Sequence, residues 1–142
     1  MSGNKWLIVG AIFAGVGVAL GAIGAHGLEK WLETAFDDPL EQAKRLANWQ
    51  TGVRYHMYHA IGIILIGLTS SQVNRRLSNL SAVLMVLGIL LFSGCLYGWV
   101  LTGSKALVMI VPIGGFAFIL AWILFAIAAA KSVNSDKEPK VL

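Results

Sequence analysis

The stretch Trp49 to Leu68, WQTGVRYHMYHAIGIILIGL, decides the fold: it is apolar enough to enter a bilayer, yet its first half carries Gln50, Arg54, Tyr55, His56, Tyr58 and His59. At roughly 100° per residue, Trp49, Val53, Met57, Ala60 and Ile64 fall on one side of a helix, with Asn48, Gly52, Tyr55, His59 and Gly62 opposite. The first stripe suits lipid and the second suits other helices. An ionisable group at the bilayer centre costs about 2.5–3.5 kcal/mol on insertion scales, so its presence marks a candidate site. The stretch therefore predicts a polar cluster close to one membrane surface, held between helices.

Working outward, three further stretches reach the roughly 20 apolar residues of a spanning helix: Trp6 to Ala25, Leu80 to Trp99 and Ala106 to Ala129. The chain is 57% hydrophobic and 13% charged, with a mean hydropathy of +0.74, which excludes an ordinary soluble domain. The expected fold is an all-α integral membrane four-helix bundle, one domain over 1–130 with a polar tail at 131–142. The net charge of +4 does not point to nucleic acid, because the basic residues form no stripe with interleaved aromatics. They read as topology signals and as contacts to anionic headgroups.

The first span, WLIVGAIFAGVGVALGAIGA, has two rows of small residues, Gly10, Ala14, Gly17, Gly21, Ala25 and Ala11, Gly15, Ala19, Ala22. Such rows let backbones approach closely in lipid, which predicts that this span is the central, most enclosed helix. Gly24, His26 and Gly27 are expected to end it. Leu28, Trp31, Leu32, Ala35 and Phe36 then follow helical spacing around Glu29, Lys30 and Glu33, the pattern of an amphipathic surface helix over 28–36. Asp38, Pro39 and Glu41 read as N-cap, first turn and capping box of the next helix. Five of the seven acidic residues, Glu29, Glu33, Asp37, Asp38 and Glu41, lie here and form a solvated face.

Beyond the second span, Ser93, Cys95 and Tyr97 should lie at the depth of His56 and His59, and the short LTGSK connection makes spans three and four antiparallel neighbours. Pro112, Gly114 and Gly115 are expected to break or kink the fourth span. Lys5, Arg75, Arg76, Lys131, Lys137 and Lys140 on one side outnumber Lys30, Lys44, Arg45 and Lys105 on the other. That asymmetry favours cytoplasmic termini in the cell (inner) membrane.

GAIGAHGL at 21–28, WQTGVRYHMYHAIGI at 49–63, LFSGCLYGWVLTG at 91–103 and VPIGGFAFILAW at 111–122 together resemble a small four-span membrane family of unknown function. It includes eukaryotic transmembrane protein 256 and bacterial inner-membrane relatives. The resemblance covers nearly the whole chain and implies a four-helix membrane protein with no catalytic residues to carry over. Val111 and Cys95 stand where the family pattern has hydroxyl residues.

The candidate polar pocket comprises His26, Gln50, Arg54, Tyr55, His56, His59, Ser93 and Tyr97. Three imidazoles can hold zinc or haem, but no carboxylate lies in a span to orient them, so a hydrogen-bonded structural cluster is preferred and no metal or cofactor is expected. Arg54 should snorkel to the interface or pair with Glu29, Glu33 or Glu41; together with His26 and His59 it could bind an anionic headgroup or a small carboxylated solute. Hydrolase, metalloprotease and phosphate-loop motifs are missing from the sequence. The leading expectation is a non-enzymatic module that interacts with membrane lipids, a membrane-protein partner or a second copy. The alternatives are an oligomeric small-solute transporter or channel and a haem- or quinone-linked redox protein.

Overall fold

The structure, a computed structural model, describes residues 2–135; most of the polar tail lies outside the described residues. Four helices follow one another: α1 Gly3–Ala35, α2 Pro39–Thr69, α3 Arg75–Thr102 and α4 Lys105–Ser135. Each runs opposite to its predecessor. Gly10 faces Ile64 and Gly24 faces Trp49 across α1 and α2, Gly52 faces Tyr97 across α2 and α3, and Gly88 faces Phe118 across α3 and α4. The chain is a helical membrane bundle. Helices α1, α3 and α4 are each long and apolar enough to cross a membrane. The 31 residues of α2 span about 46 Å at 1.5 Å per residue, and its polar first half accounts for its lower apolarity. Ile8, Ile12, Leu68, Leu87, Met109 and Phe116 stand exposed on the outer faces, as a lipid-facing belt requires.

The first span does not end at Gly24 to Gly27. The helix passes through a π turn, Gly24–Leu28, and continues as Glu29–Ala35. A π turn inserts an extra residue without breaking the helix, and so rotates the face that follows. That rotation lets Leu28 and Leu32 pack with Trp49, Trp99 and Val100. The segment expected as a separate surface helix is thus the far end of α1, docked on α2.

Nor is α1 the central helix. Only 11% of its apolar window is buried, against 44% for α3. Its row Gly10, Gly17, Gly21, Gly24 receives Ile64, Met57, Val53 and Trp49 of α2, the stripe that helical periodicity alone assigned to lipid. The correction has a simple cause. A row of glycines leaves a trough, and a trough is filled by large side chains, so bulk on α2 marks the partner's groove. The second small row is open: a Cβ on Gly15 would meet nothing within 4 Å.

Helices α3 and α4 also approach closely, where Gly114, Ala121 and Ala128 recur every seventh residue on the buried face of α4. A Cβ on Gly114 would overlap the backbone of Phe92. Ser81 Oγ donates to the Ala121 carbonyl at 2.7 Å, and the Asn74 amide donates to the Ala128 carbonyl at 3.1 Å. The expected break at Pro112, Gly114 and Gly115 does not occur, and α4 runs on through Pro112. Proline removes one backbone donor; in lipid a full break would leave several more groups unpaired.

Candidate functional site

Asp38 starts α2, its Oδ1 accepting from the Leu40 amide at 2.9 Å, with Pro39 in the first turn. Glu41 does not complete a capping box. It pairs with Arg45 Nε at 2.9 Å. Arg45 is 6% exposed, and its Nη1 donates to the carbonyls of Val100 at 2.6 Å and Trp99 at 3.3 Å. Its guanidinium carbon lies 4.0 Å from the Phe36 ring centre and 5.1 Å from that of Trp99. The cation meets the C-terminal carbonyls of α3, where the helix dipole is negative. Gly103, at φ 71°, closes that terminus by donating its amide to the Trp99 carbonyl at 2.7 Å.

The eight residues of the predicted pocket do not form one site. His56 and Tyr97 do meet, with Tyr97 Oη 3.5 Å from His56 Nδ1. His56 Nε2 lies 2.9 Å from the Phe13 carbonyl. A carbonyl only accepts, so Nε2 carries the proton and His56 is a clip from α2 to α1. Trp49 Nε1 acts likewise on the Leu20 carbonyl at 2.9 Å. His26 is exposed on the π turn of α1, away from both other histidines, so the three imidazoles form no triad. Gln50 and Arg54 line a cleft between α1 and α2 with Gly24, Trp49 and Val53. His59 lines a different cleft, which separates it from Arg54. Ser93 is fully buried in a second π turn, Ile89–Gly94, and its hydroxyl has no hydrogen-bond partner among the described residues.

Two clefts lie along the seam where α2 and α4 flank α3. The outer one, of about 660 Å³, is lined by Glu41, Lys44, Arg45 and Asn48 of α2, Leu96 and Trp99 of α3, and Lys105, Val108 and Met109 of α4. Lys44 Nζ stands 5.6 Å from the Trp99 ring centre. The inner one, of about 540 Å³, is lined by Tyr55, Tyr58, His59, Phe92, Gly115, Phe118, Ile119 and Trp122. His59 stacks on Phe118 with ring centres 3.3 Å apart and planes 11° apart. Periodicity placed Tyr55 and His59 on one face, but Lys44, Arg45 and Lys105 were missed as site residues. The available signal was their position: Lys44 and Arg45 precede Trp49 by one turn, and Lys105 opens α4.

A family described as "Protein of unknown function (DUF423)" matches residues 20–115. The chain is 42% identical over 131 residues to the UPF0382 membrane protein YwdK of Bacillus subtilis, covering 89% of this chain and 96% of that one. It is 39% identical over 129 residues to a UPF0382 membrane protein of Haemophilus influenzae, covering 91% and 96%. It is 38% identical over 129 residues to UPF0382 membrane protein SH2409 of Staphylococcus haemolyticus, covering 91% and 98%. No solved structure matches the chain. The relatives' names state a membrane protein and no transport, redox or other activity. The chain belongs to this DUF423, or UPF0382, family of membrane proteins, whose function is unknown.

Proposed function

We propose that this protein is a non-catalytic lipid-interacting membrane module that seats an anionic phospholipid in the outer cleft between α2 and α4. The observation that carries the reading is the meeting of two ammonium groups with no salt-bridge partner among the described residues, Lys44 and Lys105, with an apolar wall of Leu96, Val108 and Met109 in one cleft. Arg45 adds no free charge, because Glu41 balances it. The remaining +2 meets a phosphate, the Trp99 ring sits at headgroup level as interfacial tryptophans do, and the apolar wall accepts the upper acyl chain. Basic pockets between membrane helices suit this chemistry. Among the described residues the lining of the cleft holds no serine, threonine, cysteine or histidine to serve as nucleophile or imidazole base. Cytoplasmic termini in the inner membrane are part of the reading, supported by the sequence asymmetry of Lys5, Arg75, Arg76, Lys131, Lys137 and Lys140 against Lys30, Lys44, Arg45 and Lys105. The cleft then faces the outer leaflet.

The test is native mass spectrometry of protein extracted in mild detergent, comparing wild type with the double variant Lys44→Gln, Lys105→Gln. At about 1 kcal/mol for each lysine near a charged headgroup, the loss is roughly 25-fold in retained anionic phospholipid. Equal retention by the variant, or no anionic phospholipid on the wild type, overturns the reading.

A further inference from the structure

The inner cleft holds a polar feature that the phospholipid reading leaves unused. His59 is 4% exposed, and its Nδ1 lies 2.7 Å from the carbonyl of Tyr55. Because that carbonyl can only accept, Nδ1 carries the ring proton and Nε2 of the neutral imidazole keeps its lone pair. Among the described residues nothing donates to Nε2. Unlike the enclosed hydroxyls of Ser78 and Ser93, Nε2 keeps some accessible surface, and an acceptor without a partner is costly in a medium that supplies no water. Around it stand aromatic walls: Phe118 against the imidazole face, Tyr55 with ring centre 4.8 Å from Phe92, and Trp122 at 6.1 Å from His59. Tyr55, Tyr58 and Trp122 are 40%, 55% and 41% exposed, so the cleft opens sideways toward lipid. The floor has room, since a Cβ on Gly115 would meet nothing closer than Phe92 Cδ2 at 3.8 Å.

We infer that the inner cleft binds a membrane-soluble phenol or hydroquinone ring borne on an apolar chain, its hydroxyl donating to His59 Nε2. Flat aromatic walls select a planar ring, because offset and edge-to-face contacts each add to simple burial. The lone pair selects a donor. A ring whose oxygens only accept, a quinone or an aryl ether, presents acceptor to acceptor and leaves Nε2 unpaired, the arrangement that buried sites reject most strongly. The sideways opening admits the ligand from the bilayer and leaves its chain among lipid tails. No electron transfer is invoked. The site is independent of Lys44 and Lys105: His59 lies 15 residues along α2 from Lys44, about 22 Å at 1.5 Å per residue.

The experiment uses the full-length protein in phosphatidylcholine nanodiscs, titrated anaerobically with decylhydroquinone while tryptophan fluorescence is followed. Parallel titrations use decylbenzoquinone and the dimethyl ether of the hydroquinone. The expected result is saturable quenching by the hydroquinone, with both donor-free probes at least tenfold weaker. His59→Phe keeps the stacked ring and removes the acceptor, and should abolish the preference for the hydroquinone. Gly115→Leu fills the floor of the cleft and should abolish binding of all three. Lys44→Gln with Lys105→Gln should leave the titration unchanged, which separates this site from the phospholipid site. Absence of saturable binding, equal affinity for the dimethyl ether, or wild-type affinity in Gly115→Leu overturns the inference.

Discussion

Replacing Arg45 should cost far more stability than replacing Arg54, although only Arg54 lies within the stretch that reads as a span. Arg45→Ala removes donors from the Val100 and Trp99 carbonyls, a 2.9 Å bond to Glu41 and a cation stacked 4.0 Å from the Phe36 ring centre. Hydrogen bonds to charged groups contribute about 1.5–3 kcal/mol each. The two carbonyls end a helix at the membrane surface and water can replace part of what they lose. The pair with Glu41, which is 32% exposed, adds about 0.3–0.5 kcal/mol as a helical neighbour pair. A cation–π contact adds about 0.5–1 kcal/mol or more when desolvated. The loss for Arg45→Ala is therefore about 3 kcal/mol, and Arg45→Lys, which keeps the charge without the planar fork, loses about half of it. Arg54 is exposed and makes no hydrogen bond among the described residues, so Arg54→Ala should stay within about 0.5 kcal/mol. Reversible unfolding by SDS in mixed micelles, followed by tryptophan fluorescence, measures all three. An Arg45→Ala loss below 0.5 kcal/mol, or a larger loss for Arg54→Ala, would refute the assignment of Arg45 as the cap of α3.

Adjacent glycines of α4 should behave oppositely. Gly114→Ala forces a methyl into the Phe92 backbone and should cost about 1–3 kcal/mol as an overpacked contact, whereas Gly115→Ala, with its nearest neighbour at 3.8 Å, should be neutral or slightly stabilising in the same assay. Ser78 and Ser93 have buried hydroxyls without partners among the described residues, so Ser78→Ala and Ser93→Ala should be neutral or raise stability by up to about 1 kcal/mol, and a loss greater than that would reveal a partner. Trp49→Phe keeps the ring over Gly24 but removes the bond to the Leu20 carbonyl; it should cost about 1 kcal/mol and speed hydrogen exchange in the second half of α1 more than in α3.

Helix number and order were legible because α1, α3 and α4 announce themselves by length and apolarity and α2 by its length and apolar second half, and the loops between them are too short for any arrangement but alternation. What periodicity could not do was say which neighbour each face meets. The stripe Trp49, Val53, Met57, Ala60, Ile64 is apolar, and in a bilayer lipid and a partner helix ask for the same chemistry. The residue sizes on α1 break the tie, since Gly10, Gly17, Gly21 and Gly24 make a trough of matching spacing. The complementary row on α4 is harder to see because Gly114, Ala121 and Ala128 are two turns apart, with large residues such as Phe116, Phe118, Trp122 and Phe125 between them.

The candidate site was legible where a polar group lies inside an apolar stretch and illegible where it lies at the end of one. His56 and His59 stand out on α2 because everything after them is hydrophobic. Their uses differ although they are three residues apart, because that step turns the helix by about 300° and carries one imidazole to α1 and the other to the α4 seam. Arg45 and Lys44 were read as topology charges because basic residues next to a span normally snorkel into water. Depth was not the deciding quantity. Helix α3 ends beside Arg45, and the Trp99 and Val100 carbonyls of that terminus give the guanidinium partners that sequence spacing within α2 cannot disclose. A basic residue one turn outside a span is solvated unless a neighbouring helix ends at its level. In this bundle the Gly103 turn fixes where α3 ends, and so determines which of the two nearby cations, Arg45 or Lys44, is buried and which remains free to meet an anion.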